Sequence, residues 1–209
     1  MLDFKIQLKT AYNADAQRRK DNENNRESWK LRYRKSFADL LKANNFNTVL
    51  ELGSGVGLDA AYFKSLGFDV LATDLSEDMI ASCKEKGLNA EIVDMYELSK
   101  LGKVFDGIYS MNVLLHTPRN DLKLVLTSIE NALSSKGLFF YGVYGGKDIE
   151  KVITDNKKMG LPRFFSFLSD ATLQELVSDT FDILKFEAIE TGGEEPWFHF
   201  QAMYLQKKH

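Results

Sequence analysis

Apolar residues recur along the chain with two alternating periods. Short apolar runs of strand length are each followed by a segment in which apolar residues are three or four positions apart. Five runs of this kind cover residues 48–52, 68–73, 90–93, 105–110 and 138–144. Strands that alternate with helices at short spacing predict an α/β fold with a doubly wound, mainly parallel sheet and helices on both of its faces.

Polar residues mark the starts of two of the predicted helices. Ser76 precedes Glu77 and Asp78 and is expected to cap the helix that follows the second strand. Thr117 precedes Pro118 and is expected to be the N-cap of the helix after the fourth strand, with the proline in its first turn. The buried stripe predicted for that helix contains Leu122, Val125, Leu126, Ile129 and Leu133.

The N-terminal segment is more polar, and its pattern is weaker. Residues 21–25 are expected to form a loop or a frayed helix end. A helix with Trp29, Tyr33 and Phe37 on one apolar face is predicted to follow.

The C-terminal segment departs from the strand–helix alternation. After a predicted helix near residues 170–178, two strand-like runs, 183–191 and 197–206, flank the loop 192–196. This pattern predicts a hairpin, so that one terminal strand is antiparallel to its neighbour in the sheet.

Composition and charge narrow the classes of protein. The chain has 209 residues with 27 Lys+Arg and 30 Asp+Glu, and its net charge of −3 argues against coating nucleic acid or an anionic membrane. The single cysteine, Cys83, excludes an intramolecular disulfide and a multi-cysteine zinc site, and it is expected to be buried and unreactive. The three histidines are scattered, so no metal site is predicted.

Targeting signals give a further expectation about location. No apolar run reaches the roughly 18 residues of a membrane span. Residues 1–5 lack the basic and apolar pattern of a secretion signal. The expected location is therefore the cytoplasm, with no membrane partner.

Candidate ligand-binding residues cluster where the predicted strands end. The first strand runs into a glycine turn, residues 51–57 (Glu-Leu-Gly-Ser-Gly-Val-Gly), whose glycines let the backbone approach a ligand. The next helix directs its free N–H groups to the same point, which is the ligand-binding crevice of a doubly wound sheet. Asp74 ends the second strand about 20 residues after the first glycine, where a carboxylate can accept hydrogen bonds from both hydroxyls of a ribose. Asp94 and Met95 end the third strand and are positioned to reach the edge of an adenine.

These residues together resemble the class I, seven-strand, Rossmann-like S-adenosylmethionine-dependent methyltransferases, close to the type 11 methyltransferase domain group. The resemblance covers about residues 46–145 and includes a fourth-strand motif at residues 105–112. It implies a seven-stranded sheet, S-adenosyl-L-methionine as the cofactor, S-adenosyl-L-homocysteine as the product, and methyl transfer by in-line displacement. The cofactor contacts that it implies are made by Glu51, Gly53, Ser54, Gly55, Gly57, Asp74, Leu75, Ser76, Asp94, Met95, Ser110 and Met111.

The resemblance also implies a division of the chain. We expect a single domain over residues 1–209, with an N-terminal helical cap at 1–45 and a cofactor-binding core at 46–145. An acceptor-site insertion at 146–170 and a terminal helix and hairpin at 171–209 would complete it. In the resembled group a cap residue touches the cofactor, and Tyr12 or Trp29 could fill that role. Trp29 could instead belong to the core.

Two alternative functions stay open at this point. The third glycine, Gly57, comes one position too early for the dinucleotide motif G-x-G-x-x-G, which disfavours a nicotinamide-dependent oxidoreductase. The other alternative is a non-catalytic S-adenosylmethionine-binding module that acts as a sensor or partner.

Candidate catalytic and acceptor-binding residues follow the fourth strand. His116 could remove a proton from an acceptor near neutral pH, or it could be a buried histidine with a structural hydrogen bond. Asn112 could orient the acceptor or the cofactor, or it could be a structural amide. The aromatic residues at 162–167 line an apolar pocket or pack under the sheet. The candidate substrate-binding residues are His116, Tyr144, Arg163 and Phe164.

The expected acceptor is a small molecule. Residues 112–115 read Asn-Val-Leu-Leu, which departs from the N/D-P-P-[FYW] motif of base-modifying enzymes. The basic stretch at residues 18–35 could receive an anion, even RNA, but its interleaved acidic residues favour a solvated helix face. No nucleic-acid partner is therefore favoured, and His199 is expected to be structural.

Overall fold

The computed structural model describes residues 2–23, 28–154, 160–192 and 195–208. Its helices are α1 (Leu2–Asp21), α2 (Ser28–Ala43), α3 (Leu58–Ser65), α4 (Glu77–Glu85), α5 (Arg119–Asn131) and α6 (Asp170–Ser178). Two short 3₁₀ helices span Met95–Leu101 and Leu114–His116. The strands are β1 (Thr48–Leu52), β2 (Asp69–Asp74), β3 (Asn89–Ile92), β4 (Phe105–Met111), β5 (Leu133–Gly145), β6 (Ile149–Ile153), β7 (Arg163–Phe167), β8 (Phe181–Glu190) and β9 (His199–Lys207).

The main sheet has seven strands in the order β3-β2-β1-β4-β5-β9-β8. The pairs β1–β2, β2–β3 and β4–β5 are parallel. Strand β9 is antiparallel to both β5 and β8. The predicted fold class is thus confirmed: a seven-stranded, mainly parallel sheet with surrounding helices and an antiparallel C-terminal hairpin.

The chain divides into two compact units. Unit 1 comprises residues 1–94 and 153–163, and unit 2 comprises residues 95–152 and 164–209. The predicted hairpin lies in unit 2, although residues 193 and 194 of its loop are outside the described part of the chain.

Unit 1 is built on the parallel strands β1, β2 and β3. Four of the five residues of β1 are buried, as is typical of a parallel strand that is covered on both faces. On α2 the predicted apolar face is buried at Tyr33 and Phe37, whereas Trp29 is half-buried. Ser76 caps α4 as predicted, because its Oγ accepts a hydrogen bond from the Met79 N–H at 3.2 Å.

Unit 2 contains β4, β5 and the C-terminal hairpin. The predicted stripe of α5 is buried, and Leu133 is buried at the start of β5. The predicted N-cap of α5 is wrong: the helix begins at Arg119, with Pro118 at the N-cap. The reason is that Thr117 ends the preceding 3₁₀ helix, where its N–H donates to the Leu114 carbonyl at 2.9 Å.

Strands β6 and β7 form a separate two-stranded sheet within the predicted insertion, residues 146–170. Of the aromatic residues there, Phe165 and Phe167 are buried with their rings stacked 5.6 Å apart, whereas Phe164 is half-buried. Phe165 and Phe167 therefore show the packing that one sequence interpretation gave, and the interpretation of the segment as a pocket wall stays a prediction. Within the described residues, no helix is both long and apolar enough to cross a membrane.

Candidate functional site

The glycine turn of unit 1 combines one tightly packed glycine with one open glycine. Gly53, Gly55 and Gly57 have left-handed backbones with φ of +60°, +53° and +81°. A Cβ at Gly57 would come within 2.6 Å of Leu88 Cδ1 and 2.9 Å of Cys83 Sγ. A Cβ at Gly55 would meet nothing within 4 Å. The turn is therefore packed on one side and leaves room for a ligand at Gly55.

Asp74 is held next to this turn by backbone donors. The Gly55 N–H donates to its Oδ2 at 3.0 Å, and the Ser76 N–H donates to its Oδ1 at 2.9 Å. Burial raises the pKa of Asp74, although these two hydrogen bonds and the nearby charge of Arg19 oppose the shift. Each carboxylate oxygen can accept a second hydrogen bond, so the carboxylate is fixed in orientation and can still bind two hydroxyl groups.

Glu51 lies beneath the turn rather than at its surface. Its side chain is buried, and its Oε2 accepts a hydrogen bond from the Ala60 N–H at 2.8 Å. A carboxylate at this place stabilises the first turn of α3. Direct contact of Glu51 with a cofactor stays a prediction.

The carboxyl ends of β2 and β3 are linked to α1 by side-chain contacts. Lys5 Nζ is 2.6 Å from Asp94 Oδ2. The Ser76 hydroxyl donates to Asn13 Oδ1. Asp94 therefore forms an ion pair with Lys5. No sequence pattern indicates this pair, because 89 residues separate Lys5 from Asp94. The half-buried Leu75 lies between Asp74 and Ser76, and its role stays a prediction.

Tyr12 of α1 lies close to the glycine turn. It packs against a buried cluster that contains Val56. The guanidinium carbons of Arg19 and Arg163 are 5.0 and 4.4 Å from its ring centroid. Burial raises the pKa of Tyr12 against the effect of both arginines, and the charge of Asp74 adds to the rise. Tyr12 and Asp74 are thus neighbours in unit 1.

Asp15 binds three arginines, two of which lie over the ring of Tyr12. Its carboxylate is 2.5 Å from Arg18 Nε, 2.8 Å from Arg19 Nε and 3.0 Å from Arg163 Nη2. Burial works against ionisation, but the hydrogen bonds from the arginines outweigh it and lower the pKa of Asp15. Arg163, a predicted substrate-binding residue, is 2% exposed and is engaged in this cluster. No sequence pattern marks Asp15, whose partner Arg163 is 148 residues away.

The other predicted residues of unit 1 pack against neighbouring side chains, and a contact of Trp29 with the cofactor stays a prediction. Trp29 lies edge-on to Tyr33, with ring centroids 6.3 Å apart. Cys83 is buried, and burial raises the pKa of its thiol to about 11, as expected for an unreactive cysteine. Basic side chains of the 18–35 stretch also pair with carboxylates, including Lys20 with Glu85. Arg26 lies outside the described residues.

His116 is a buried residue of unit 2. Its Nδ1 is 2.7 Å from the Phe164 carbonyl oxygen, and its ring centroid is 4.8 Å from that of Phe165. A carbonyl oxygen only accepts, so Nδ1 carries the proton and Nε2 is the basic nitrogen of the neutral ring. His116 thus makes the kind of hydrogen bond expected of a structural histidine. Its role as a base stays a prediction.

The end of β4 contains unusual polar groups. Asn112 has a φ of +59°, and its N–H donates to the Gly142 carbonyl at 2.8 Å. Within the described structure, the buried Asn112 Oδ1 and Ser110 Oγ have no hydrogen-bond partner. Met111 ends β4 opposite Gly142, and Met95 begins the first 3₁₀ helix.

A cavity of unit 2 lies beside Tyr144. The Tyr144 ring stacks on Phe198 at 4.9 Å between centroids. The cavity comprises about 240 Å³ of space, part of it open to solvent. Its lining combines apolar side chains with hydroxyl and amide groups: Leu114, Thr117, Leu122, Tyr141, Val143, Tyr144, Ser166, Leu168, Leu173 and Gln201. No sequence signal had marked Thr117, Ser166 or Gln201 as ligand-binding, because they are far apart along the chain.

Asp170 orders the residues at the edge of this cavity. Its Oδ1 is 2.7 Å from His199 Nε2 and 2.7 Å from Gln201 Nε2. These contacts agree with the expected structural role of His199. Across the described residues, no group of three or more His, Cys, Asp or Glu side chains could hold a metal ion.

Comparison with known proteins places this arrangement in context. Residues 49–137 match the sequence profile of the methyltransferase domain family. A protein of Alkaliphilus oremlandii described as an uncharacterized methyltransferase is 25% identical over 153 residues, which are 71% of this chain and 70% of the relative.

Solved structures share the fold at low sequence identity. The 1,6-didemethyltoxoflavin-N1-methyltransferase of Burkholderia thailandensis, crystallised with 1,6-didemethyltoxoflavin and S-adenosylhomocysteine, has a TM-score of 0.72 at 20% identity. The match covers 99% of this chain and 90% of that chain. An S-adenosylmethionine-dependent methyltransferase of Clostridium acetobutylicum has a TM-score of 0.68 at 14% identity, over 95% of this chain and 99% of that chain.

Proposed function

The chain carries a class I, Rossmann-like S-adenosylmethionine-dependent methyltransferase domain, and from this premise we propose that it methylates a small-molecule acceptor by in-line displacement. The observation that carries the proposal is the pairing of the open Gly55 with Asp74. The space at Gly55 fits a ligand that approaches the backbone, and the two oxygens of Asp74 fit the two hydroxyls of a ribose.

In unit 1, the residues of the glycine turn, Asp74, Leu75, Ser76 and Asp94 would bind the nucleoside part of the cofactor, with Tyr12 over it. The cofactor contacts that the resemblance assigns to Met95, Ser110 and Met111 stay predictions. In the described part of unit 2, Asn112 Oδ1 and Ser110 Oγ have no hydrogen-bond partner; the amide oxygen can accept a hydrogen bond, and the hydroxyl can donate or accept one. The contacts of Glu51 and Trp29 would be indirect, because Glu51 supports α3 and Trp29 packs on Tyr33.

The chemistry asks little of the protein beyond positioning. S-adenosylmethionine supplies a methyl group on a sulfonium whose leaving group departs neutral. The chain must therefore hold a nucleophile in line and exclude water. If the acceptor loses a proton, His116 Nε2 is the group proposed to take it. The small size of the acceptor is supported by the cavity beside Tyr144 and by the small acceptor named for the Burkholderia enzyme.

Calorimetric titration with S-adenosylhomocysteine tests the cofactor site, with NADH as the control ligand. The chain should bind the former and not the latter. Asp74→Ala should lower that affinity about 100-fold, through the loss of two hydrogen bonds to a charged acceptor at about 1.4 kcal/mol each. The matched control is Asp69→Ala, which removes an exposed carboxylate from the other end of β2. Equal effects of the two variants would remove Asp74 from the site.

Turnover requires a separate measurement. Release of S-adenosylhomocysteine from S-adenosylmethionine should occur with at least one member of a screen of small phenols, amines, thiols and carboxylates. His116→Asn keeps a donor near the Phe164 carbonyl and removes Nε2, so it should slow turnover without weakening cofactor binding. Binding of S-adenosylmethionine without consumption by any acceptor would instead favour the sensor alternative.

A further inference from the structure

Three buried polar atoms of unit 2 lack partners in the described structure and belong to residues that line the same cavity. They are Thr117 Oγ1, Ser166 Oγ and Gln201 Oε1, and none of them has a hydrogen-bond partner in the described structure. Their residues are 1%, 5% and 0% exposed. Each such atom lowers stability unless something binds it. Their convergence from the end of a 3₁₀ helix, from β7 and from β9 therefore points to a bound group.

The orientation of the Gln201 amide is fixed by its neighbours. Its Nε2 donates to the Leu168 carbonyl at 3.1 Å and to Asp170 Oδ1 at 2.7 Å. These partners only accept, so the nitrogen must face them and Oε1 is the free acceptor. Gly145 makes room for this oxygen, because a Cβ there would lie 2.2 Å from it.

The lining determines the chemistry of the group that would fit. Gln201 Oε1 needs a hydrogen-bond donor, whereas the hydroxyls of Thr117 and Ser166 can donate or accept. Burial raises the pKa of Tyr141, so its hydroxyl stays neutral. The described lining residues carry no charge, which disfavours an ammonium or a carboxylate. The cavity has room for about one water-sized group, and five of its ten lining residues are aliphatic.

The geometry points to a subsite that binds a neutral hydrogen-bond donor, a hydroxyl or an uncharged N–H, at the end of an apolar acceptor molecule. We call it the donor subsite, after the hydrogen-bond donor that it binds and not after the methyl donor. That its occupant is the methyl acceptor rests on the proposed function. Its position supports that assignment. Thr117 follows β4 closely, and Gln201 pairs with Val143 near the carboxyl end of β5, where doubly wound sheets bind ligands.

The test compares phenol with toluene, which differ in one donor group. The ¹⁵N-labelled full chain is titrated with each compound, with and without S-adenosylhomocysteine, and the Gln201 side-chain amide signals are followed by NMR. Phenol should shift these signals and bind about 10-fold more tightly than toluene, because only phenol satisfies Oε1. Equal affinities, or an ordered water that phenol does not displace from Gln201, would overturn the donor subsite.

Two conservative variants sharpen the result. Thr117→Val and Ser166→Ala should each reduce the preference for phenol towards parity and leave the melting temperature unchanged or higher. The matched control is Ser82→Ala, because the buried Ser82 hydroxyl already donates to the Asp78 carbonyl at 2.8 Å. This control should keep the full preference. A preference that survives in both Thr117→Val and Ser166→Ala contradicts the proposal.

The outcomes separate the two proposals. Absence of S-adenosylhomocysteine binding would defeat the proposed function, whereas the phenol titration of the chain alone still decides on the donor subsite. Binding of S-adenosylhomocysteine without a preference for phenol would defeat the donor subsite alone.

Discussion

The glycine-turn region of unit 1 and the donor subsite of unit 2 differ in how their polar groups are satisfied. In unit 1, both oxygens of Asp74 accept hydrogen bonds from backbone N–H groups. The Ser76 hydroxyl caps α4 and also donates to Asn13 Oδ1. In unit 2, the buried polar atoms of Thr117 and Ser166 have no partner within the described structure.

The contrast suggests two ways to build a binding site. A carboxylate that is oriented by the backbone is preorganised, so its ligand need not reorder it. A cavity with unpaired polar atoms gains its hydrogen bonds only when a matching ligand arrives, so it discriminates strongly against ligands that lack the donor. On the proposed function, the first region would provide affinity for the cofactor and the second would provide selectivity for the acceptor.

The largest expected effect separates two glycines of the same turn. Gly57→Ala should lower the free energy of unfolding by about 3 kcal/mol, because it combines backbone strain at φ +81° with a clash against Leu88 and Cys83. Gly55→Ala should cost only about 1 kcal/mol but weaken S-adenosylhomocysteine binding, because its Cβ enters the open space. Urea unfolding and calorimetry measure the two quantities. Unchanged binding in Gly55→Ala would show that this space is not used by the cofactor.

A substitution at Gly145 applies the same test to unit 2. A Cβ there would lie 2.2 Å from Gln201 Oε1 and 2.6 Å from the Leu168 carbonyl oxygen. Gly145→Ala should therefore lower the free energy of unfolding by about 2 kcal/mol through overpacking. It should also displace the amide and abolish the preference for phenol over toluene. A variant that is destabilised but keeps the preference would separate Gln201 from the donor subsite.

The pH dependence of binding should differ between the two regions. Cofactor binding uses the ionised form of Asp74, whose pKa is raised by burial. Affinity for S-adenosylhomocysteine should therefore fall as the pH drops through this raised pKa. Well below it, the fall approaches tenfold per pH unit, or about 1.4 kcal/mol.

Calorimetry across a pH series measures this profile, and Asp74→Asn supplies the control because its side chain does not titrate. The preference for phenol should be flat at every pH at which the Asp170 carboxylate accepts from Gln201 Nε2, since the described cavity lining itself carries no acidic side chain. An S-adenosylhomocysteine profile that is identical in the wild type and Asp74→Asn would contradict the assignment of the dependence to Asp74.

The smallest expected effect is a change in the free energy of unfolding that has opposite signs for valine substitutions at two buried threonines. Thr117→Val should raise the free energy of unfolding by less than about 1 kcal/mol, because it removes an unpaired hydroxyl. Thr73→Val in unit 1 should lower it by about 1 kcal/mol, because the Thr73 hydroxyl donates to the Glu51 carbonyl at 2.8 Å. Thermal and urea unfolding measure both changes. Destabilisation by Thr117→Val would indicate that its hydroxyl is paired in solution.

Local sequence signals predicted the parts of the fold that depend on near neighbours. The alternation of strands and helices and the Ser76 cap were readable because periodicity and capping act within a few residues. The two-stranded sheet of β6 and β7 was not predicted. The N-cap at Thr117 was predicted wrongly, because no residue pattern marks the 3₁₀ helix that ends there.

The candidate site shows the same limit. Asp74 followed from its spacing to the glycine turn, but the contacts of Arg163 with Asp15 and of Lys5 with Asp94 join distant segments. The donor subsite brings together Thr117, Ser166 and Gln201, none of which belongs to a motif. Such groupings depend on the packing of the folded chain, which the periodicity of one sequence does not encode.

The ion cluster at Asp15 has a consequence for the synthesis of the chain on the ribosome. Asp15 and Arg163 are 148 residues apart. At a translation rate of roughly 10 residues per second, Arg163 is therefore synthesised about 15 seconds after Asp15. Arg18 and Arg19 emerge almost together with Asp15, at i+3 and i+4, and can hold the carboxylate during that interval. The neighbouring arginines thus act as interim partners for a carboxylate that completes its contacts only when most of the chain has been translated.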